Sequence, residues 1–201
     1  TWNVVSRDGA KGTSLTLDTV GWYGRSVSDL RLVAEALGAL LEPVPAAPPE
    51  SRMRIALCRT PMWQRAEPAS QAAVETAAER LRRSGVRVDM LELPAHFSRL
   101  TDCNRLVLTA EGRTGFMAEY RSAYPLLHQD LRDHVENRYG YTAASICEAL
   151  DFSAACRSEF DRIAAGYDAV LVPSATGEAP LAGDKGDSVF QRMWTLLHVP
   201  C

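Results

Sequence analysis

Several things are scarce in these 201 residues, and each scarcity excludes something. No apolar run approaches the roughly 18 residues that a membrane span needs, because Arg, Asp or Pro breaks every candidate stretch. No signal-peptide pattern opens the chain. Lysine is almost missing: of 22 basic residues only Lys11 and Lys185 are lysines, a bias that reads as codon composition rather than as phosphate binding. Acidic residues outnumber basic ones by 25 to 22, and the formal charge of −3 leaves no overall field for nucleic acid or an anionic membrane. The five cysteines, Cys58, Cys103, Cys147, Cys156 and Cys201, form no C-x-x-C pair and are odd in number. That excludes a disulfide framework and a cysteine zinc site, and it fits a reducing, cytoplasmic setting. G-x-S-x-G, S-x-x-K, H-E-x-x-H and the Walker loop are all absent.

What is present is an ordinary globular composition, 46% apolar and 23% charged, enough for a buried core. The first 25 residues are rich in Gly, Ser and Thr without a clean period, and read as an extended loop with short strands. Ser26 can cap a helix with Asp29 three positions on, and Leu30, Val33, Ala34, Leu37 and Leu41 make its apolar stripe. Loop and helix together occupy 1–41. The run 42–52 holds four prolines and reads as a stiff connector.

From 53 to 201 the pattern is α/β. Met53 to Cys58 reads as a buried strand, Pro68 to Arg83 as a helix with proline in its first turn, and Val86 to Leu93 as a second strand. Strand, helix and strand in that space make a βαβ unit, hence a parallel pair. Residues 96–138 read as mainly helical, interrupted near Gly112, Gly115 and Pro125. Thr142 then starts a long amphipathic helix that ends at Gly166. Asp168 to Val172 reads as a third strand, Ser174 to Gly186 as a long loop of functional length, and Ser188 to Val199 as a final helix.

Taken singly, the chemical candidates fall short. Cys58 ends a buried strand and reads as a small core residue. His134 and Glu136 imitate the start of a deaminase H-x-E element, but no P-C-x-x-C follows, and Asp130, Asp133, His134 and Glu136 read as a solvated helix face. Gly183 to Gly186 reads as a charged turn. Asp18 sits between apolar neighbours and needs a partner, with Arg7 and Arg25 as the nearest cations. The residues by themselves give no complete catalytic constellation and no metal or cofactor site.

Two segments carry a resemblance. Ser14 to Gly21 (SLTLDTVG), followed by Arg25 to Asp29 (RSVSD), resembles the amidase signature family's stretch around "LDtvGp.aRsV.D". Tyr167 to Thr176 (YDAVLVPSAT), Ala179-Pro180 and Phe190 to Leu197 (FQRMWTLL) resemble that family's "yDvlltPt…aP…f…wtll" block. The order and spacing of these segments span almost the whole chain. The resemblance implies part of an α/β/α fold with a mixed sheet flanked by helices, in a single partial domain over 1–201. It also implies hydrolysis or transfer at the C–N bond of carboxamides by a Ser–cis-Ser–Lys set, which in the family lies before the LDTVG stretch, so that this chain holds no catalytic residue and is expected to be inactive alone.

By the same resemblance Asp18, Gly21 and Arg25 brace the nucleophile-bearing loop, and Trp22, Pro173, Ser174, Thr176 and Trp194 border the substrate. At Trp22 the family usually has proline. The expected ligand is a small-molecule amide, with no nucleic acid and no membrane as partner; a homodimer is compatible with it. The alternatives are a protein similar to the amidase-like component of a glutamine-dependent amidotransferase, and a non-catalytic binding module derived from the same fold.

Overall fold

The computed structural model describes residues 2–40 and 49–200. Thr1, Cys201 and 41–48, which hold most of the expected connector and the last residue of the expected stripe, lie outside the described residues. The chain divides into two compact units. The first comprises 1–46, 105–150 and 198–201; the second comprises 47–104 and 151–197.

The second unit is built on three parallel strands: β1 (Arg54–Cys58), β2 (Arg87–Leu91) and β3 (Ala169–Leu171), in the order β2-β1-β3. Ile55 pairs with Val88 on one side and with Ala169 on the other, so β1 is the central strand. Its sequence explains the placement: Ile55, Ala56, Leu57 and Cys58 are buried without alternation, as a strand covered on both faces requires. Every pairing among the described residues is parallel, where a mixed sheet was expected; the connections β1 to β2 and β2 to β3 both return the chain through helices rather than hairpins.

Helix α2 (Pro68–Arg83) makes the first return, starting on Pro68 and ending with Gly85 at φ +96°, a left-handed turn that a side chain would strain. Its Val74 and Ala78 pack on Leu57, with Trp63, Val88 and Leu171 closing the cluster. Each large apolar side chain so buried contributes about 1.5–3 kcal/mol. At the amino end of the sheet the Arg54 backbone N–H donates to Asp168 (2.7 Å), its Nε donates to Asp89 (2.7 Å), and its guanidinium covers the Tyr167 ring. The hydrogen bond from Arg54 holds the Asp89 carboxyl below its usual range. Helix α7 (Val189–Leu196) buries Val189, Phe190, Met193, Trp194 and Leu196.

In the first unit, α1 (Val27–Ala36) starts as expected, the Ser26 hydroxyl accepting from the Asp29 N–H. Before it, 2–25 form turns and no strand; backbone donors there go to side chains rather than to a ladder. Helix α3 (Leu100–Gly115) starts in the second unit and continues into the first. It runs through Gly112, where an interruption was expected. That glycine is present for space: a Cβ there would lie 2.8 Å from His134 Nδ1.

The chain continues through α4 (Met117–Ser122) and α5 (Gln129–Val135) to α6 (Ala143–Ala164). Thr142 and Ser145 start α6 as a reciprocal cap, each side-chain oxygen accepting from the other's backbone N–H. Among the described residues no helix is long and apolar enough to cross a membrane.

Candidate functional site

In the first unit the stretch 12–18 folds back on its own acid. The Asp18 carboxylate accepts from the Thr13 N–H (2.6 Å) and the Ser14 N–H (2.9 Å). Arg7 does not meet that carboxylate; its Nη1 donates to the carbonyls of Leu15 (2.9 Å) and Asp18 (3.0 Å). Arg25 is almost wholly exposed (98%) and reaches only Asp29, at 4.0 Å. The expected salt bridge to Asp18 is therefore replaced by backbone donors, which satisfy a half-buried carboxylate at closer range than a long, exposed arginine can.

A second carboxylate fixes the same stretch. Glu111 of α3 accepts from the Ser14 hydroxyl, the Thr16 N–H (2.9 Å) and the Thr16 hydroxyl (2.5 Å). Ser14 is 1% exposed, so it cannot meet a substrate as placed. Trp22 is half-buried and donates its Nε1–H to the Leu30 carbonyl (3.1 Å), tying the loop to α1. Gly21 is exposed, with open space where a Cβ would stand.

The expected solvated face of α5 is only partly so. Asp130 is exposed, while Asp133, His134 and Glu136 are half-buried. Glu136 pairs with Arg138 and accepts from Tyr120 (3.0 Å), which together hold its carboxyl below the usual range. His134 has a buried Nδ1 without a partner, and burial pushes its pKa down from 6.5 against the opposing fields of Asp130 and Asp133.

In the second unit the loops after the carboxyl ends of β1 and β3 lead to a cleft of about 820 Å³. In open parallel sheets that end, where strand order reverses about the first strand, is the usual place for a ligand. Glu67, Thr176, Glu178, Leu181, Lys185 and Gln191 are among its lining residues. Two contacts set its shape. The Glu67 N–H, just before α2, donates to the Thr176 carbonyl (2.6 Å), and Gln191 Nε2 donates to the Ser174 carbonyl. The Glu67 carboxylate lies where a Cβ on Gly177 would be, so residue 177 has to be glycine.

Of the residues expected to border a substrate in this unit, Thr176 lines the cleft. Pro173 is fully buried, and Ser174 is exposed beside the cleft without lining it. Trp194 is 5% exposed and packs edge-on against Phe160, ring centroids 5.5 Å apart; it is core. Cys58 and Cys156 are buried, and burial raises both thiols, leaving them protonated and unreactive. Among the described residues no group of three or more His, Cys, Asp or Glu is disposed to hold a metal ion.

The sequence reasoning passed over Glu111 and Glu67. Glu111 was findable: Leu100, Asn104 and Val107 form the buried stripe of α3, and a carboxylate continues it at the next position. Glu67 announces itself only as an acid before a helix-starting proline.

A parallel α/β unit with a polar cleft at its strand ends has the build of an α/β enzyme domain. The chain belongs to the Amidase family, whose sequence profile matches residues 1–200. It is similar to the amidase-like component (the A chain type) of the glutamyl-tRNA(Gln) amidotransferase of Latilactobacillus sakei, at 26% identity over 238 aligned positions, covering 100% of this chain and 49% of the relative. Its fold is similar to that of an inhibitor-bound enzyme from a vestigial complex tied to the origins of an s-triazine catabolic enzyme (TM-score 0.77, 20% identity, 96% and 47% covered). It is also similar to the peptide amidase of Stenotrophomonas maltophilia (TM-score 0.66, 23% identity, 98% and 48% covered). The chain spans about half the length of these relatives.

Proposed function

We propose that these residues form the nucleophile-free half of an amidase that cleaves carboxamide C–N bonds. The serine, cis-serine and lysine would lie in a segment outside the 201 residues. The observation that carries this reading is the match of the Amidase profile to 1–200 together with the half-length coverage of each relative. In the reaction the lysine takes a proton through the cis-serine, the second serine attacks the carbonyl carbon, and the amine leaves with that proton before water releases the acid.

Within this reading the pinned stretch 12–18 braces the nucleophile-bearing loop through Asp18 and Glu111. Trp22 and Thr176 remain the substrate-facing candidates, while the burial of Trp194 and Pro173 argues for support. The large exposed side chains Leu15, Tyr23, Val27 and Leu32 would be covered by the remainder of the longer chain.

Ammonia release from a simple carboxamide tests the proposal. The expected outcome is turnover by a chain that adds the upstream half, and none above background by the 201 residues alone. Turnover by the short chain contradicts it. The likeness to a component of an amidotransferase favours a second reading, ammonia delivery to a partner enzyme. Stoichiometric co-purification of a partner with the longer chain would select that reading.

A further inference from the structure

We propose that the cleft at the carboxyl ends of β1 and β3 selects amides that carry a protonated amine on an aliphatic stem; the amide part of this assignment rests on the function proposed above. The cleft is the place to look because it combines volume, about 820 Å³, with a mixed lining. A pocket of a few hundred Å³ or more with convergent polar groups holds a small molecule rather than a macromolecular surface.

Its charges do not cancel. Glu67, Glu178, Asp184 and Asp187 face one cation, Lys185. Asp187 is already neutralised, by Arg65 at 2.8 Å and Arg192 at 3.5 Å, with the Val189 N–H on the same carboxylate. Asp184 accepts the Gly186 N–H (2.9 Å), and Lys185 has an interaction of its own. Even with Lys185 set against one of the remaining three carboxylates, the other two are in excess and set the sign of the cleft. Glu67 is held in position from both sides, by its own N–H on Thr176 and by the space that Gly177 leaves.

The apolar part of the lining, Leu181 with Ala179 and Pro180, supplies a surface for a hydrocarbon stem, and Leu181 is 87% exposed in its absence. A carboxylate-ended ligand would meet like charge, and a wholly apolar one would leave the acids desolvated without a partner. A protonated amine on a short chain satisfies both parts of the lining.

Calorimetric titration of the 201-residue chain with three matched probes tests this: 6-aminohexanamide, hexanamide and the monoamide of adipic acid. The expected result is binding of 6-aminohexanamide about tenfold tighter than hexanamide at low ionic strength, with the adipic acid monoamide weakest. The preference should shrink as salt rises past ~0.1 M, where exposed charges are screened. Glu67→Gln with Glu178→Gln should remove most of the preference while leaving the melting temperature unchanged. Should the double variant unfold, Glu178→Gln alone, on the exposed loop, carries the same test.

Equal binding of the three probes, tighter binding of the acid, or no binding by any of them overturns the proposal, as does a preference that survives the substitutions. Hexylamine separates this from the function. If it matches 6-aminohexanamide, the cation site stands and the amide reading loses support. If hexanamide binds with no charge preference, the amide reading stands and the cation site falls.

Discussion

The two units are held together by different means. In the second, an unbroken apolar strand, Ile55 to Cys58, is buried between helices, and side chains such as Leu57, Val74 and Ala78 close on one another. In the first, the stretch 12–18 has almost no apolar anchor beyond Leu17 and is fixed by two carboxylates, Asp18 and Glu111, each taking several donors. The first unit also exposes most of the large apolar side chains, among them Leu15, Tyr23, Val27 and Leu126, whereas the second exposes only Met90 and Leu181 among those described. Non-directional burial tolerates neighbouring change and specifies a fold; directional bonds specify one loop and fail when one partner is removed.

Truncating the core should give the largest effect. Leu57→Ala leaves a cavity at the central strand and should cost about 2–5 kcal/mol in denaturant unfolding. A cost below ~1 kcal/mol would mean that β1 is not the centre of the second unit.

The pins come next. Glu111→Ala leaves the Ser14 hydroxyl and both Thr16 donors without their acceptor and should cost about 2–3 kcal/mol. Glu111→Gln keeps one acceptor oxygen and should cost less. Equal losses for the two variants would show that packing, not hydrogen bonding, carries the residue.

His134 gives a smaller, pH-dependent effect. Its folded value lies below 6.5 because burial disfavours the charged ring, so the folded chain binds fewer protons than the unfolded one. That contribution is fully present above 6.5 and is lost as pH falls through the folded value. His134→Leu should therefore flatten stability against pH below 6.5 and leave the profile above it unchanged. An unchanged slope would place the titration elsewhere. The smallest effect belongs to the α6 cap: Thr142→Ala should cost about 1 kcal/mol, read as a shift in the unfolding midpoint.

The contrast also explains what the sequence could disclose. Helix α2 runs from Pro68 to Arg83, and the proline at its start and Gly85 beyond its end mark both limits in the chain itself. The strand MRIALC, the βαβ pair and the third strand were legible for the same reason, since burial is written as local hydrophobic pattern. The first unit was harder to read, because its bonds join residues far apart. Nothing near Ser14 announces Glu111, almost a hundred positions away, and a glycine inside α3 makes sense only once His134 is found against it.

The same limit governed the site. Thr176 was reached through a motif and does line the cleft, but Trp194 was reached the same way and is core, because a motif records identity and not exposure. Glu67 and Glu178 belong to no motif and became visible only when the loop closed on the N-terminal end of α2.

Hydrogen exchange along the intact 201-residue chain tests the difference between the units most directly. The account predicts slowest exchange at the amides of Ile55 to Cys58, measurable protection at Thr13, Ser14 and Thr16, and loss of that second protection alone in Glu111→Ala. Free exchange of those three amides in the unaltered chain, or an equal rise at β1 and at 12–18 in the variant, would contradict it.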